Sequence, residues 1–294
     1  MTTTTNAAAQ SEIPEEPPRT RIVMLGTGTP NADPERSGPA VAVVVGGHAY
    51  LVDAGAGVVR RAAAAHAKGI AELSPEKLDI VFITHLHSDH TLGLPDLILT
   101  PWVLERRTPL RIFGPPGIKN MARKLLDAYA EDIRIRREGF EPDKHEGYKV
   151  VPREIIEGVV YRDSHVTVTA FEVPHANFNH AFGYRFETRD GVYVISGDTR
   201  PSDKVAAQCD GCEVLVHEVY SADRFRERPP EWQRYHADAH TSTLDLASLA
   251  TRARPKLLVL YHQLYWGATD EDLVREVKRG YQGEVVSAKD LEVY

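Results

Sequence analysis

A cluster of metal-binding side chains lies between His85 and His90, where the sequence reads His-Leu-His-Ser-Asp-His. Three imidazoles and one carboxylate are donor types that hold Zn²⁺ and similar cations. His85 and His87 lie two positions apart and can bind one metal together, whereas Asp89 and His90 lie further along and can face a second. A single histidine beside a strand is usually an ordinary side chain, but four donors in six positions rarely arise by chance. The pattern therefore predicts a metal site.

The segment before this cluster must hold it at the edge of a sheet. Residues 78–84 form an apolar run that predicts a buried strand, so the donors follow at the point where a loop leaves the sheet. Three more metal-type residues, His175, Asp198 and His262, also come directly after apolar strand patterns. Each of them alone could be a loop histidine, a turn aspartate or a cap. Together they complete a predicted site of seven residues.

Regular patterns elsewhere predict the framework. Strands are predicted at 21–25, 40–45, 48–53, 78–84, 165–173, 181–186, 191–196, 213–217, 256–261 and 284–287. Helices are predicted at 58–68, 118–131, 243–252 and 270–279. Both halves of the chain run through strands and then helices, which favours an α/β fold with a two-sheet core and helices on both outer faces.

Length and composition narrow the class of protein. The chain has 294 residues, with 42% hydrophobic and 26% charged residues, which is ordinary for a soluble globular protein. Residues 1–19 are polar and Pro-rich and predict a flexible tail, whereas no linker divides 20–294, which predicts a single domain. No apolar run reaches the roughly 18 residues that span a membrane, and the N-terminus lacks the pattern of a secretory signal, so we expect a cytoplasmic protein without membrane contact.

Charge and cysteine content add two expectations. The net charge of −7 argues against a long nucleic acid as the main partner, because phosphate backbones are bound by excess Lys and Arg. The cysteines, Cys209 and Cys212, form a single Cys-x-x-Cys pair, which is half a zinc site or a redox pair. Without a second such pair, and in a reducing cytoplasm, we expect two ordinary thiols.

The sequence resembles the metallo-β-lactamase superfamily and, within it, the ribonuclease Z and arylsulfatase-like group. The resemblance covers about residues 20–294. The motifs that carry it are Leu-Gly-Thr-Gly-Thr-Pro at 25–30, Leu-Val-Asp-Ala-Gly at 51–55, Thr-His-Leu-His-Ser-Asp-His at 84–90, Pro-His at 174–175, Gly-Tyr-Arg-Phe at 183–186, Ser-Gly-Asp-Thr at 196–199, His-Glu at 217–218, His-Thr-Ser at 240–242 and Leu-Tyr-His at 260–262. It implies a four-layer αβ/βα sandwich with the site at one edge, between the two sheets.

The resemblance also implies how the donors are shared between two metals. The first metal would be bound by His85, His87 and His175, the second by Asp89, His90 and His262, and Asp198 would bridge the two. Asp53 would support the cluster from behind, since a carboxylate behind a ligating imidazole fixes its tautomer. Imidazoles with few carboxylates and no thiolate favour two Zn²⁺ ions, with Mn²⁺ or Fe as alternatives. Diiron relatives usually carry an acidic residue at the position of His87, so the sequence favours hydrolysis over redox chemistry.

The expected reaction is hydrolysis by a metal-bridging hydroxide. Two cations that share a water lower its pKa from about 15.7 towards about 7, and Asp89 can orient this nucleophile or accept its proton. In the ribonuclease Z branch a His and a Glu that match His240 and Glu218 serve as the general acid and its orienting partner. The alternative for His240 is a position next to a helix cap, because Thr241-Ser-Thr243 is itself a capping sequence.

The substrate is expected to be small. Members that process tRNA typically carry a long arm between the second-half His and Asp, but between His175 and Asp198 this chain has room only for a tight hairpin. We therefore expect a small-molecule ester: a phosphodiester first, and then a sulfate ester, a lactone or a β-lactam. A tRNA 3′-processing endonuclease and an iron-dependent redox enzyme are further alternatives. The segment 132–165 is expected to form a wall or a lid of the pocket. Tyr265 and Trp266 are expected either to form an apolar wall of the pocket or to pack in the core. A homodimer is possible.

Overall fold

The computed structural model describes residues 19–141 and 145–294. Apart from Arg19, the predicted flexible tail at 1–19 lies outside the described residues. The assignment of 20–294 to a single domain stays a prediction. No helix in the described part of the chain has the length and hydropathy needed to cross a membrane.

Two sheets, in each of which neighbouring strands follow chain order, form the centre of the molecule. The first sheet consists of β1 (Arg21–Gly26), β2 (Ala40–Val45), β3 (His48–Val52), β4 (Ile80–Phe82), β5 (Leu110–Gly114) and β6 (Val150–Glu154). The second sheet consists of β7 (Gly158–Arg162), β8 (Thr167–Glu172), β9 (Phe182–Thr188), β10 (Gly191–Ile195), β11 (Val214–Tyr220), β12 (Leu257–Leu264) and β13 (Val285–Ser287). Each sheet begins with antiparallel pairs and ends with parallel ones.

Helices cover the outer face of each sheet. The helices of the described residues are α1 (Val58–Ala67), α2 (Ser88–Thr91), α3 (Leu94–Val103), α4 (Ile118–Ala128), α5 (Ala130–Glu138), α6 (Asp203–Cys209), α7 (Ala222–Phe225), α8 (Pro230–Ala239), α9 (Thr243–Ala253) and α10 (Asp270–Lys278). Helices α1 and α4 pack on the first sheet, and α6, α9 and α10 pack on the second. The predicted four-layer αβ/βα sandwich is therefore confirmed.

Strand β2 shows why so many strands read as continuous apolar runs. Val41 and Val43 point into the core between the two sheets, whereas Ala42 and Val44 point into the core between the first sheet and its helices. Successive side chains of a strand point to opposite faces, and here both faces are covered. A strand that lies inside four layers must therefore be apolar at every position.

Several elements differ from the sequence-based expectation. The helix predicted at 118–131 is two helices, α4 and α5, which meet at Tyr129. Helix α3 was not predicted, because Pro101 lies in its interior, where proline normally breaks a helix. Strand β5 and helices α6 and α8 were not predicted either.

The cysteines are the clearest correction. Cys209 and Cys212 form a disulfide, so the expectation of two ordinary thiols is wrong. Asp210 and Gly211 between them both have left-handed backbone, with φ of 30° and 84°. This turn ends α6 and folds the chain back on itself, so the two sulfurs meet. Both cysteines are buried in the core between the second sheet and its helices.

A buried carboxylate joins two distant parts of the second half. Glu276 of α10 accepts hydrogen bonds from the Ser221 hydroxyl at 2.7 Å and from the Ala222 N–H at 2.8 Å. It also accepts one from the Thr243 hydroxyl at 2.5 Å. The residue before α7 and the first residue of α9 are therefore tied to the same side chain.

Candidate metal centre

The seven predicted donors meet at one edge of the sandwich, between the two sheets. His85 and His87 follow β4, and Asp89 and His90 lie on the single-turn helix α2. The remaining donors come from the second sheet: His175 follows β8, Asp198 follows β10 and His262 lies in β12. Their atoms form two groups in which all ligand atoms lie within 4.8 Å of one another. Parallel strands place their carboxyl ends at the same edge of a sheet, which explains the convergence.

The first group consists of His85, His87, His175 and Asp198. The Nδ1 atom of His87 lies 2.9 Å from Nε2 of His85 and 3.1 Å from Nε2 of His175. Burial lowers the pKa of His85 well below its usual value and that of His87 to about 4. These imidazoles are therefore neutral at pH 7, which is the form that binds a metal.

The second group consists of Asp89, His90 and His262. The Asp89 Oδ2 atom lies 3.1 Å from His262 Nε2 and 3.5 Å from His90 Nε2. The His90 Nε2 atom is buried and has no hydrogen-bond partner among the described residues. Since buried polar atoms are normally paired, this atom fits a metal ligand.

Asp198 lies between the two groups. Its Oδ2 atom is 4.0 Å from His85 Nε2 on one side and 3.4 Å from His262 Nε2 on the other. Its Oδ1 atom is buried, again without a hydrogen-bond partner in the described part of the chain. Burial alone would raise the pKa of Asp198, but His262 and His90 lower it well below its usual range. The ionised carboxylate is therefore placed where it could contact a cation in either group.

Outer contacts fix the tautomers of the histidines. His90 Nδ1 donates to Asp53 Oδ2 at 2.8 Å, and the N–H of Thr84 donates to Asp53 Oδ1 at 2.8 Å. His175 Nδ1 donates to the carbonyl of Ala239 at 2.7 Å. In both histidines Nδ1 is therefore occupied and Nε2 faces the centre, which is the nitrogen left to bind a metal. The structure thus places Asp53 directly behind the cluster.

His240 and Glu218 lie beside the donors. His240 directly follows α8, and its Nδ1 atom lies 3.4 Å from Glu218 Oε2 and 3.9 Å from Asp198 Oδ2. Glu218 is fully buried, and its Oε1 atom accepts a hydrogen bond from the Thr241 N–H at 2.7 Å. The capping interpretation holds for Ser242, which accepts from Asp245 N–H at the start of α9. Ser242 therefore caps α9, while the His240 side chain two residues earlier faces the site.

The protonation of this pair is unusual. Burial raises the pKa of Glu218 well above its usual range and lowers the pKa of His240 to about 4. A neutral imidazole next to a protonated carboxyl holds the same number of protons as an imidazolium next to a carboxylate. In either arrangement the pair holds one transferable proton beside the site at neutral pH.

A cavity of about 740 Å³ opens in front of the donors. Its lining residues come from the donor loops, the 30–31 loop, the end of β12 and the segment around α8: Pro30, Asn31, His87, Ser88, Asp89, Asp198, Arg228, Glu231, Trp232, Tyr235, His236, His240, His262, Leu264 and Trp266. Trp266 belongs to the wall, whereas Tyr265 turns away and donates a hydrogen bond to Asp270 at 2.6 Å.

The expectation that 132–165 forms the wall is wrong for the described residues of that segment, because none of them lines the cavity. Strands β6 and β7 are the outermost strands at one edge of each sheet, and α5 packs against α4. The wall comes instead from α8. The sequence feature that indicates this aromatic face is the spacing of Trp232, Tyr235 and His236, which puts three rings on one side of a helix.

Comparison with known proteins agrees with this geometry. Residues 48–263 match the family model described as the beta-lactamase superfamily domain. Ribonuclease Z of Mycobacterium sp. (strain KMS) is 38% identical over 245 residues, which cover 83% of this chain and 84% of the relative. Ribonuclease Z of Mycobacterium bovis (strain BCG / Pasteur 1173P2) is 35% identical over 248 residues, or 82% of this chain and 85% of the relative.

Solved structures show the same fold. The metallo-beta-lactamase fold protein YhfI from Bacillus subtilis has a TM-score of 0.70 at 18% identity and covers 94% of this chain and 100% of its own. The short form of human tRNase Z has a TM-score of 0.68 at 22% identity, with 93% and 98% covered. The chain therefore belongs to the metallo-β-lactamase superfamily, in its ribonuclease Z branch, and is a metal-dependent hydrolase.

Proposed function

We propose that this protein is a dinuclear zinc hydrolase that cleaves a small phosphodiester. The observation that carries the proposal is the position of Asp198, whose carboxylate lies within 4.0 Å of donors from both groups. Two Zn²⁺ ions at such a site supply a nucleophilic water at neutral pH and polarise the phosphoryl oxygen. The proposed ligands are His85, His87 and His175 for one ion, Asp89, His90 and His262 for the other, and Asp198 for both.

The chain's own residues would manage the protons. Asp89 lies at the mouth of the second group and lines the cavity, so it can orient the attacking water or accept its proton. His240 also lines the cavity, with Glu218 behind it, so it can donate a proton to the leaving oxygen. Asp53 would hold His90 in the ligating tautomer.

Four observations support a small phosphodiester as the substrate. Relatives named ribonuclease Z favour phosphodiester chemistry. Between His175 and Asp198 the chain forms only the hairpin of β9 and β10, joined by residues 189–190. The cavity has the size of a small-ligand site, and the net charge is −7. The runner-up function is tRNA 3′ processing, which the names of the relatives favour. The cytoplasmic location and the homodimer stay predictions.

The test is a substrate panel with zinc-loaded protein. The panel contains a phosphodiester, a phosphomonoester, an aryl sulfate, a lactone, a β-lactam and a precursor tRNA. We expect the highest kcat/KM for the small phosphodiester. Preference for the sulfate, the lactone or the β-lactam would refute the phosphodiester assignment, and preference for the tRNA would establish the runner-up. Redox-active iron in a protein without hydrolytic activity would contradict the hydrolase.

The metal content is the first prediction. After saturation with zinc and removal of the unbound metal, the protein should hold about two zinc ions per chain, because two sets of three donors share one carboxylate. Elemental analysis by mass spectrometry measures this number. The variant His180→Ala is the control, because His180 is 44% exposed and pairs with Glu172 away from the cluster. One zinc or none in the unaltered protein would rule out the dinuclear site.

The second prediction concerns His240. His240→Ala should slow diesters with poor leaving groups by about 10² to 10⁴-fold, and those with nitrophenolate leaving groups far less, because only a basic leaving oxygen needs a proton. The measurement is kcat against the pKa of the leaving group, at a zinc content checked to equal that of the unaltered protein. Glu218→Gln should shift this dependence in the same direction. Equal losses across the series would remove His240 from the acid role.

A further inference from the structure

We propose that an aromatic wall, formed by Trp232, Tyr235 and Trp266, binds a planar ring on the leaving group of the substrate. The substrate class is thus a phosphodiester whose leaving group carries a nucleobase or an aryl ring. This inference rests on the proposed function and adds the part of the substrate that the metal centre does not touch.

The three rings line the same cavity as the donors. Trp232 and Tyr235 lie on one face of α8, with ring centroids 5.9 Å apart and planes at 90°. His236 stacks on Trp232 at 5.7 Å and contacts Trp266 at 4.7 Å. The wall is therefore one connected surface, although its members come from two elements.

The exposure of the wall points to a ligand. Trp232 is 47% exposed and Tyr235 is 40% exposed, although both are large aromatic side chains. His236 is buried and contacts both Trp232 and Trp266, so it holds these two rings in place. Exposed aromatic rings beside a catalytic cavity are the feature on which planar rings stack, and every nucleobase offers such a face.

His240 sets which part of the substrate meets the wall. Its ring lies 5.7 Å from that of His262, 5.6 Å from that of His236 and 6.3 Å from that of Tyr235. His240 thus stands between the metal donors and the wall. Because His240 is the proposed proton donor to the leaving oxygen, the group attached to that oxygen lies on the side of the wall.

The charge at the wall fits a small anionic ligand. The Arg228 guanidinium lies 5.3 Å above the ring of Trp266 and lines the cavity, and its Nε atom is buried without a hydrogen-bond acceptor among the described residues. Glu231 lines the same cavity, so the wall offers one cation and one anion. Among the described residues that line the cavity, Arg228 is the only arginine or lysine, which matches one phosphodiester better than several phosphates of a long backbone.

The test compares three diesters in Trp232→Ala: 2′,3′-cyclic AMP, glycerol 1,2-cyclic phosphate and bis(p-nitrophenyl) phosphate. We expect kcat/KM to fall by about 10-fold or more for the cyclic nucleotide, because the lost stacking is specific to its base. For the glycerol ester, which has the same cyclic phosphate but no ring, we expect a change of less than about twofold, since no stacking is lost. A loss confined to the nitrophenyl ester would identify an aryl group in place of a nucleobase.

Two variants serve as controls. Trp232→Phe keeps a ring and should retain most of the activity on the cyclic nucleotide. Tyr129→Ala removes a 42% exposed aromatic ring that does not line the cavity, so it should change none of the three substrates. If Trp232→Ala fails to fold, Tyr235→Ala replaces it. Equal losses on all three diesters would overturn the wall and leave the hydrolase intact.

A binding readout separates the wall from the chemistry. Titration calorimetry with zinc-loaded protein should show that Trp232→Ala weakens AMP binding by about 10-fold and leaves ribose 5-phosphate binding unchanged. If none of the diesters is hydrolysed but this difference in binding is found, the proposed function fails and the wall stands. Equal weakening of both ligands, or no weakening of AMP, would overturn the wall.

Discussion

Asp198→Ala should reduce turnover by about 10³-fold or more and lower the zinc content below that of the unaltered protein. The reason is geometric: Oδ2 of Asp198 lies 4.0 Å from His85 Nε2 and 3.4 Å from His262 Nε2, so its loss removes a donor from both groups. Stabilisation by a metal of the charge that develops during the reaction is worth several kcal/mol, which corresponds to this loss of rate. The measurements are steady-state kinetics and elemental analysis on the same sample.

A nearby aspartate provides the matched control. Asp203 lies at the start of α6, its side chain is 95% exposed, and its partner is Arg252. An exposed ion pair contributes little to stability, so Asp203→Ala should keep the zinc and the activity. Full activity in Asp198→Ala at full zinc content would refute the bridging role. Asp89→Ala should remove metal from the second group only. It should also abolish most of the turnover.

Arg106→Met should lower the free energy of unfolding by about 3 kcal/mol or more. Arg106 is 1% exposed, and its guanidinium donates hydrogen bonds to four backbone carbonyls at 2.7–2.8 Å, those of Leu78, Leu97, Ile98 and Gly147. Methionine fills much of the volume but removes all four hydrogen bonds, and it leaves at least the Leu97 carbonyl, which faces Pro101, without a donor. Each buried acceptor without a partner costs about 1–3 kcal/mol, before any relaxation of the chain.

A proline explains why an arginine is needed at this point. Pro101 lies inside α3 and has no N–H to give to the carbonyl four residues earlier, which belongs to Leu97. Arg106 Nη1 donates to that carbonyl instead. Arg106→Lys should recover only part of the stability, because an ammonium is one compact donor group and cannot reproduce the planar guanidinium fork.

Urea unfolding of the zinc-saturated protein measures this effect. Arg123→Met is the control: Arg123 is 62% exposed and pairs with Asp127 on the same helix, so its loss should change stability by less than about 0.5 kcal/mol. The fraction of the Arg106→Met protein that is folded should have a normal kcat, because Arg106 does not line the cavity. A change in Arg106→Met as small as that of the control would contradict the structural role.

The seven predicted donors could be found from sequence because each lies close to the carboxyl end of an apolar strand pattern. A residue at the carboxyl end of a strand is placed by the strand itself, and the strands are visible as runs such as that of β2, in which both faces are buried. The contact between His240 and Glu218 could be predicted only through the resemblance, since nothing in the local pattern of Glu218 links it to His240. Their contact depends on how β11 packs beside the loop after α8.

The wall could not be predicted, for a different physical reason. Helix α8 begins at Pro230 after a segment rich in arginine and proline, and that composition is also typical of a loop. Three rings on one helix face more often indicate burial in a core than exposure to a cavity. Whether such rings are buried in a core or exposed to a cavity depends on how the helix packs in the folded protein. The local sequence does not indicate that Trp232 is exposed.

The contacts of Glu276 make the segment from Ala222 to Thr243 a closed loop. Its two ends lie 21 positions apart in sequence but meet at a single carboxylate, and the Ala222 N–H also donates to the Thr243 hydroxyl at 3.2 Å. The entropy of closing such a loop grows only slowly with its length. The part of this loop that carries Trp232 and Tyr235 can therefore change in length at little entropic cost, as long as Ala239 stays against His175 and His240 stays beside Glu218. The aromatic part of the loop and the part that contacts the metal donors are thus separable in sequence, which allows substrate preference to change while those contacts are kept.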